Sequence, residues 1–159
     1  MLKDGKPIIG ICNGFQILTE VQFLPGALLK NDSLKFICKW VNINVENNKT
    51  AFTNNMNIDD VLSIPIAHGE GRYFTDNLKE LEENDQIVFK YTNEKGDITE
   101  DDNPNGSMAN IAGVCNLEQN CLGLMPHPER AAEAILSPKG TTHGKLFFDS
   151  MIKFIKKRV

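Results

Sequence analysis

Several things are scarce in this chain of 159 residues, and each scarcity closes off a class of function. Its four cysteines, Cys12, Cys38, Cys115 and Cys121, are few for the length, and none stands in a C-x-x-C spacing. A disulfide-stapled miniprotein is excluded, and mostly free thiols in a reducing cytoplasm are expected. Cationic side chains are in deficit: 17 Lys and Arg against 21 Asp and Glu leave a net charge of −4. That is the wrong sign for a nucleic-acid footprint. The one basic run, Lys156-Lys157-Arg158, closes the last helical pattern and suits that helix's C-terminal dipole. No apolar stretch has the length of a membrane span. No charged-then-apolar leader pattern opens the chain, and there is no internal repeat, heptad or long linker.

What remains is ordinary globular material, 41% hydrophobic and 24% charged, enough for the core of one domain. Lys6 to Cys12 reads as a short apolar strand entered by a turn-like Gly5-Lys6-Pro7, and an uninterrupted apolar run suits a strand covered on both faces. From Asn13 the period becomes helical until Leu24-Pro25-Gly26 stops it. A strand leading straight into a helix is the half-unit of an α/β fold. Phe36 to Glu46 alternates like a half-exposed strand. Val61 to Ala67 is a second strand that Pro65 excludes from a fully paired central position. A short helix after Asn77, a strand over Gln86 to Tyr91, and a polar loop over Thr92 to Ser107 follow. Ile111 to Cys115 and Cys121 to Met125 read as a β-hairpin. The last helix runs from about Lys145 to Lys157, with Phe147, Met151, Phe154 and Ile155 as its apolar stripe. His143 reads as a surface residue.

Two segments carry chemistry. Gly10-Ile11-Cys12-Asn13-Gly14 is a G-x-C-x-G sequence at the strand-to-helix junction, the arrangement that lifts a nucleophile above a sheet edge. Its glycines are expected to avoid crowding in the tight turn. The following helix aims free N–H groups at Cys12 and stabilises negative charge developing there. A buried structural cysteine ending a strand fits the same residues equally well. Met125-Pro126-His127-Pro128-Glu129-Arg130 places His127 and Glu129 two apart in what reads as an extended segment, so both fall on one face. A carboxylate so placed can hold the imidazole's tautomer and stabilise its cation. With Cys12 available as nucleophile, the set becomes Cys–His–Glu. Ala67-His68-Gly69-Glu70-Gly71 ends a strand with glycines that permit close approach of a ligand. The His68-x-Glu70 pair lacks further ligands for a metal. Cys115 and Cys121 face each other across their hairpin, where the compartment argues against a bond.

These residues resemble a known family. Gly10 to Leu18 looks like the nucleophile segment of class I (triad-type) glutamine amidotransferases, and Met125 to Arg130 like their His–Glu segment. Leu24-Pro25-Gly26-Ala27-Leu28, Phe36 to Val41, Pro65 to Gly71, Asn103-Pro104-Asn105-Gly106-Ser107 and Ile111-Ala112-Gly113 are similar to the glutaminase subunits of phosphoribosylformylglycinamidine synthase. The resemblance implies an open, mostly parallel, flavodoxin-like α/β sheet flanked by helices, with the hairpin before the His–Glu loop. It implies that Cys12, His127 and Glu129 hydrolyse glutamine and that the Asn13 N–H is an oxyanion donor. It assigns Gln16, His68, Gly69 and Glu70 to substrate binding. It also implies delivery of ammonia to a synthetase subunit that uses ATP and magnesium, with a small third subunit in some complexes. No cofactor or metal in this chain, and no nucleic-acid or membrane partner, is implied.

The family pattern also includes upstream elements not found here: a first strand, helices, and a Pro-Gly-Gly-Phe-Ser-type loop carrying a second oxyanion donor. Met1 to Gly5 read as the tail of an upstream helix and its turn. Residues 1–159 are therefore expected to form a partial, N-terminally incomplete amidotransferase domain. Loss of one oxyanion donor costs about 10²–10³ in rate, so the chain by itself is expected to have little or no glutaminase activity. Two other readings stay open. One is a remnant that keeps the triad side chains but serves only as a binding or interaction module. The other is a cysteine hydrolase of a related α/β fold acting on peptides or small aldehydes.

Overall fold

A computed structural model describes residues 4–157; Met1 to Lys3 of the expected upstream tail, and Arg158 of the basic run, lie outside the described residues. The apolar opening run forms β1 (Ile8–Ile11) and turns at Cys12 into α1 (Asn13–Glu20). There follow β2 (Ala27–Leu29), β3 (Ile37–Val45), β4 (Val61–His68), β5 (Arg72–Phe74) and α2 (Leu78–Glu83). The chain closes with β6 (Ile87–Thr92), β7 (Ile111–Cys115), β8 (Cys121–Leu124) and α3 (Lys145–Lys156). Short 3-10 turns occupy Met108–Asn110, Pro128–Ala131 and Ala134–Leu136.

Six strands make one sheet in the order β1-β8-β7-β6-β3-β4, while β2 and β5 pair separately. β1 and β8 are parallel, with Ile8 opposite Cys121 and Ile11 opposite Leu124. The other pairs of the sheet are antiparallel, so the α/β class holds with a mixed sheet in place of the expected mostly parallel one. The cause lies in the connections. β3 reaches β4, and β7 reaches β8, through turns rather than helical crossovers, and strands joined in that way pair antiparallel.

Alternating residues of the sheet feed two cores. On one face Ile43, Ile64, Val88, Ala112 and Leu122 pack with Phe147 of α3. On the other, Ile111, Val114 and Cys121 pack with Phe15 and Leu18 of α1, Tyr73 of β5 and Leu81 of α2. Burying a side chain the size of Phe147 contributes roughly 1.5–3 kcal/mol. The expected stripe of α3 is only partly engaged, because Ile155 is exposed and the buried positions are Phe147 and Ser150. The Ser150 hydroxyl accepts from the Asn55 N–H at 3.2 Å, which ties the helix to the turns between β3 and β4.

The placement of Pro65 follows the sequence expectation: β4 is an edge strand, paired only with β3. Its outer edge is nonetheless used. Beyond β8 the Met125 N–H donates to the Ala112 carbonyl at 3.1 Å, and two residues later the His127 N–H donates to the Pro65 carbonyl at 2.8 Å. The extension of β8 thereby bridges the curled sheet to its far edge. On the same edge the Ser63 N–H donates to His143 Nδ1 at 2.9 Å. His143 is thus not the plain surface residue expected; it caps an otherwise open strand N–H.

Candidate active site

Cys12 occupies the turn between β1 and α1 with φ 51° and ψ −104°, a conformation that a non-glycine residue adopts at a cost of about 1–3 kcal/mol. The strain is over-determined by its surroundings. The Cys12 N–H donates to the Leu124 carbonyl at 2.8 Å, and the Cys12 carbonyl accepts from Phe15 and Gln16 in the first turn of α1. The N–H groups of Asn13 and Gly14, which precede the first bonded N–H of α1 at Phe15, have no acceptor within the helix. The thiol itself makes a long contact, Sγ to the Ala67 carbonyl oxygen at 3.8 Å.

The two elbow glycines are not equivalent. A Cβ on Gly10 would overlap Leu18 and stand 2.7 Å from the Gly14 carbonyl oxygen, so this position must be bare for α1 to settle on β1. A Cβ on Gly14 meets nothing within 4 Å, contrary to the expected crowding at both positions.

His127 and Glu129 come together as expected, Nδ1 to Oε1 at 2.6 Å, but not in an extended chain. Pro128 opens a 3-10 turn over Pro128–Ala131, and His127 (φ −105°, ψ 86°) is the residue that precedes it. The reason is that proline restrains the residue before it, while its own fixed φ suits the first position of a helical turn. The Cys12 side chain beside the ring, and then the hydrogen bond to Glu129, raise the imidazole pKa to about 9 against the opposing pull of burial. For Glu129 burial pushes upward, yet the hydrogen bond and charge of His127, with Arg130 beside it, hold the carboxyl below its ordinary value. An ionised carboxylate only accepts, so His127 donates through Nδ1. Its Nε2 is buried without a partner of full hydrogen-bond geometry among the described residues, which leaves it to act toward the thiol side.

The remaining expected residues also converge. Gln16 Nε2 donates to the Glu70 carbonyl at 2.7 Å, linking α1 to the loop after β4. Gly69 and Glu70 offer backbone at the rim, whereas the His68 ring is 3% exposed. Its Nδ1 is 3.0 Å from Asn31 Oδ1. Burial, then the charge of His127, lowers the His68 pKa to about 4, so it is a neutral imidazole near neutral pH. Asn31, Asn105 and Ser107 bind this loop from outside; Asn105 and Ser107 stand in a segment the resemblance picked out, whereas Asn31, a lone asparagine, carries no periodic signal. Cys115 and Cys121 are free and buried, with thiols that burial pushes up to about 12 and 11, while Cys38 is free and exposed. Among the described residues no group of three or more His, Cys, Asp or Glu could hold a metal ion, and no helix is long and apolar enough to cross a membrane.

A strained thiol beside a carboxylate-held imidazole and free helix N–H groups can form and break an acyl bond. Comparison with known proteins agrees with that chemistry. Residues 2–155 match the CobB/CobQ-like glutamine amidotransferase domain. The chain is 55% identical over 152 residues to phosphoribosylformylglycinamidine synthase subunit PurQ of Aquifex aeolicus, covering 94% of this chain and 66% of that one. To the subunit of the same name from Methanocaldococcus jannaschii it is 54% identical over 159 residues, covering 99% and 68%. A solved structure of PurLQS from Thermotoga maritima superposes with a TM-score of 0.79 at 45% identity, covering 97% of this chain and 64% of that one. The chain thus spans about two thirds of the length of the relatives it matches.

Proposed function

Because the chain belongs to the CobB/CobQ-like glutamine amidotransferase family, we propose that it is the glutaminase component of a phosphoribosylformylglycinamidine synthase in purine biosynthesis. The observation that carries the reading is the meeting of Cys12 with the His127–Glu129 pair, whose 2.6 Å hydrogen bond fixes the imidazole. Two relatives at 54–55% identity, both phosphoribosylformylglycinamidine synthase subunit PurQ, support the pathway, and the glutamine amidotransferase family supports the substrate.

In this reading the Cys12 thiolate attacks the side-chain amide carbon of glutamine, and the proton of the thiol resides on His127 Nε2. The carbonyl oxygen of the amide becomes an oxyanion facing the Asn13 N–H. Collapse breaks the carbon–nitrogen bond as His127 returns its proton to the departing nitrogen, which leaves as ammonia. Cys12 then carries a glutamyl thioester. Water, deprotonated by the same imidazole, attacks it and releases glutamate and the free enzyme. Glu129 keeps the Nδ1–H donor in place and stabilises the imidazolium at both stages. Gln16 and the Gly69–Glu70 backbone hold the amino-acid end of glutamine.

The ammonia is passed to a synthetase subunit, where ATP and magnesium do their work; this chain carries no cofactor of its own. The complex of the Thermotoga relative supports a partnership of this kind, and a small third subunit and a cytoplasmic setting complete the proposal. The test is an acid quench of the chain with labelled glutamine in the presence of its synthetase subunit. A glutamyl adduct on the Cys12 peptide, absent in Cys12→Ala, supports the reading; no adduct with glutamate still produced refutes it.

A further inference from the structure

The loop that links β4 to β5, His68 to Gly71, is too short and too rich in glycine to hold a shape by its own packing. Yet its carbonyls and N–H groups are tied down in an unusual way. Asn31 is fully buried between β2 and β3. Its backbone N–H donates to the Gly69 carbonyl at 3.0 Å. Its side-chain Nδ2 donates to the His68 carbonyl at 2.9 Å and to the Lys35 carbonyl at 2.8 Å. Its Oδ1 accepts from the Gly71 N–H at 3.1 Å and faces His68 Nδ1 at 3.0 Å.

The amide's orientation is forced, because two carbonyls on Nδ2 and an N–H on Oδ1 permit no flip. Oδ1 can only accept, so His68 carries its proton on Nδ1 and leaves Nε2 as a bare acceptor, buried without a partner among the described residues. The ring lies against Gly71, where a Cβ would overlap it. A second asparagine closes the other side: Asn105, 2% exposed, donates through Nδ2 to the Gly71 carbonyl at 2.8 Å. The Asn105 carbonyl accepts from the Asp32 N–H at 3.1 Å, one residue past Asn31, which joins the two braces.

We infer that Asn31 and Asn105 are positioning residues for glutamine: a buried asparagine clamp that fixes His68 to Gly71 so that the Gly69–Glu70 backbone stands ready for the substrate beside Cys12. The clamp rests on the amidotransferase reading for its ligand but not for its geometry. It acts on selectivity for glutamine rather than on the thiol, because neither amide touches Cys12, His127 or Glu129. Asn31→Asp keeps the side-chain volume and Oδ1 but sets an oxygen where Nδ2 donates, facing two carbonyls.

The test compares wild type, Asn31→Asp and Asn105→Ala in the full chain. Labelling of Cys12 is followed with a diazoketone analogue of glutamine and with iodoacetamide, which needs no amino-acid grip. Amide hydrogen exchange of residues 69–71 is read in the same samples. The clamp predicts at least tenfold loss of analogue labelling in Asn31→Asp, iodoacetamide labelling within twofold of wild type, and faster exchange confined to the 69–71 loop. Unchanged exchange in a folded Asn31→Asp variant, or an equal fall with both reagents, overturns it. A wild-type chain that does not select the analogue defeats the amidotransferase reading alone, and the loop's exchange rates still decide the clamp.

Discussion

The sulfur of Cys12 lies 3.8 Å from the carbonyl oxygen of Ala67, although the strands that carry them, β1 and β4, are opposite edges of one six-stranded sheet. Only a strongly curled sheet brings its two edges to one point. The extension of β8 makes the curl, reaching the Ala112 carbonyl through Met125 and the Pro65 carbonyl through His127. The same extension delivers the imidazole to the thiol, so fold closure and site assembly are one event.

Glu129→Gln tests the holding of the imidazole. The amide keeps its size but gives up the charge that helps hold the His127 pKa near 9. Glutamine turnover should fall by about 10²-fold, with the basic limb of the pH profile displaced to lower pH. Stopped assays across pH 6 to 10 read both effects.

Two histidines give opposite pH signatures. His68 is held down to about 4, below its unfolded value of 6.5, so the stability it contributes is present above pH 6.5 and lost as pH falls toward 4. His127 is raised to about 9, so its contribution is present below pH 6.5 and lost as pH rises through 9. Urea unfolding at intervals from pH 4.5 to 9.5 should show a maximum between the two windows. Asn31→Asp should weaken the acid-side loss, because a carboxylate beside Nδ1 favours the charged His68.

The two glycines of the elbow separate by mutation. Gly10→Ala forces a Cβ against Leu18 and the Gly14 carbonyl and should cost about 1–3 kcal/mol. Gly14→Ala enters open space inside α1 and should be neutral or stabilising by up to about 1 kcal/mol. Thermal unfolding of the two variants side by side distinguishes them.

How far this could be read from sequence depends on range. Cys12 at a strand-to-helix turn is a local signal, since Gly10 and the apolar run before it already demand the turn. The edge position of β4 was legible in Pro65, whose missing N–H faces outward. The pairing of His127 with Glu129 was legible, but its path was not, because Pro128 constrains its predecessor and also starts a 3-10 turn. The mixed strand directions depend on which strands return without a crossover, a property of the whole chain. Asn31 was invisible for a sharper reason: its role lies in contacts to residues 68, 69 and 71 that only the folded backbone brings within reach.

Gln16→Ala removes the hydrogen bond to the Glu70 carbonyl. The expected effect is a rise of several-fold in KM for glutamine with kcat reduced less, since a net hydrogen bond is worth roughly 0.5–1.5 kcal/mol. Steady-state kinetics with the synthetase subunit present measure the split.

The most direct test of the central claim uses a thiol the chain already provides as its control. Cys12 and Cys38 are both free and reachable, whereas Cys115 and Cys121 are buried. Peptide mapping after timed exposure to a diazoketone analogue of glutamine compares the first two within one molecule. A catalytic Cys12 should label about 10²-fold or more faster than Cys38, with the advantage abolished in His127→Ala. Equal labelling of Cys12 and Cys38 in the wild-type chain would contradict the account.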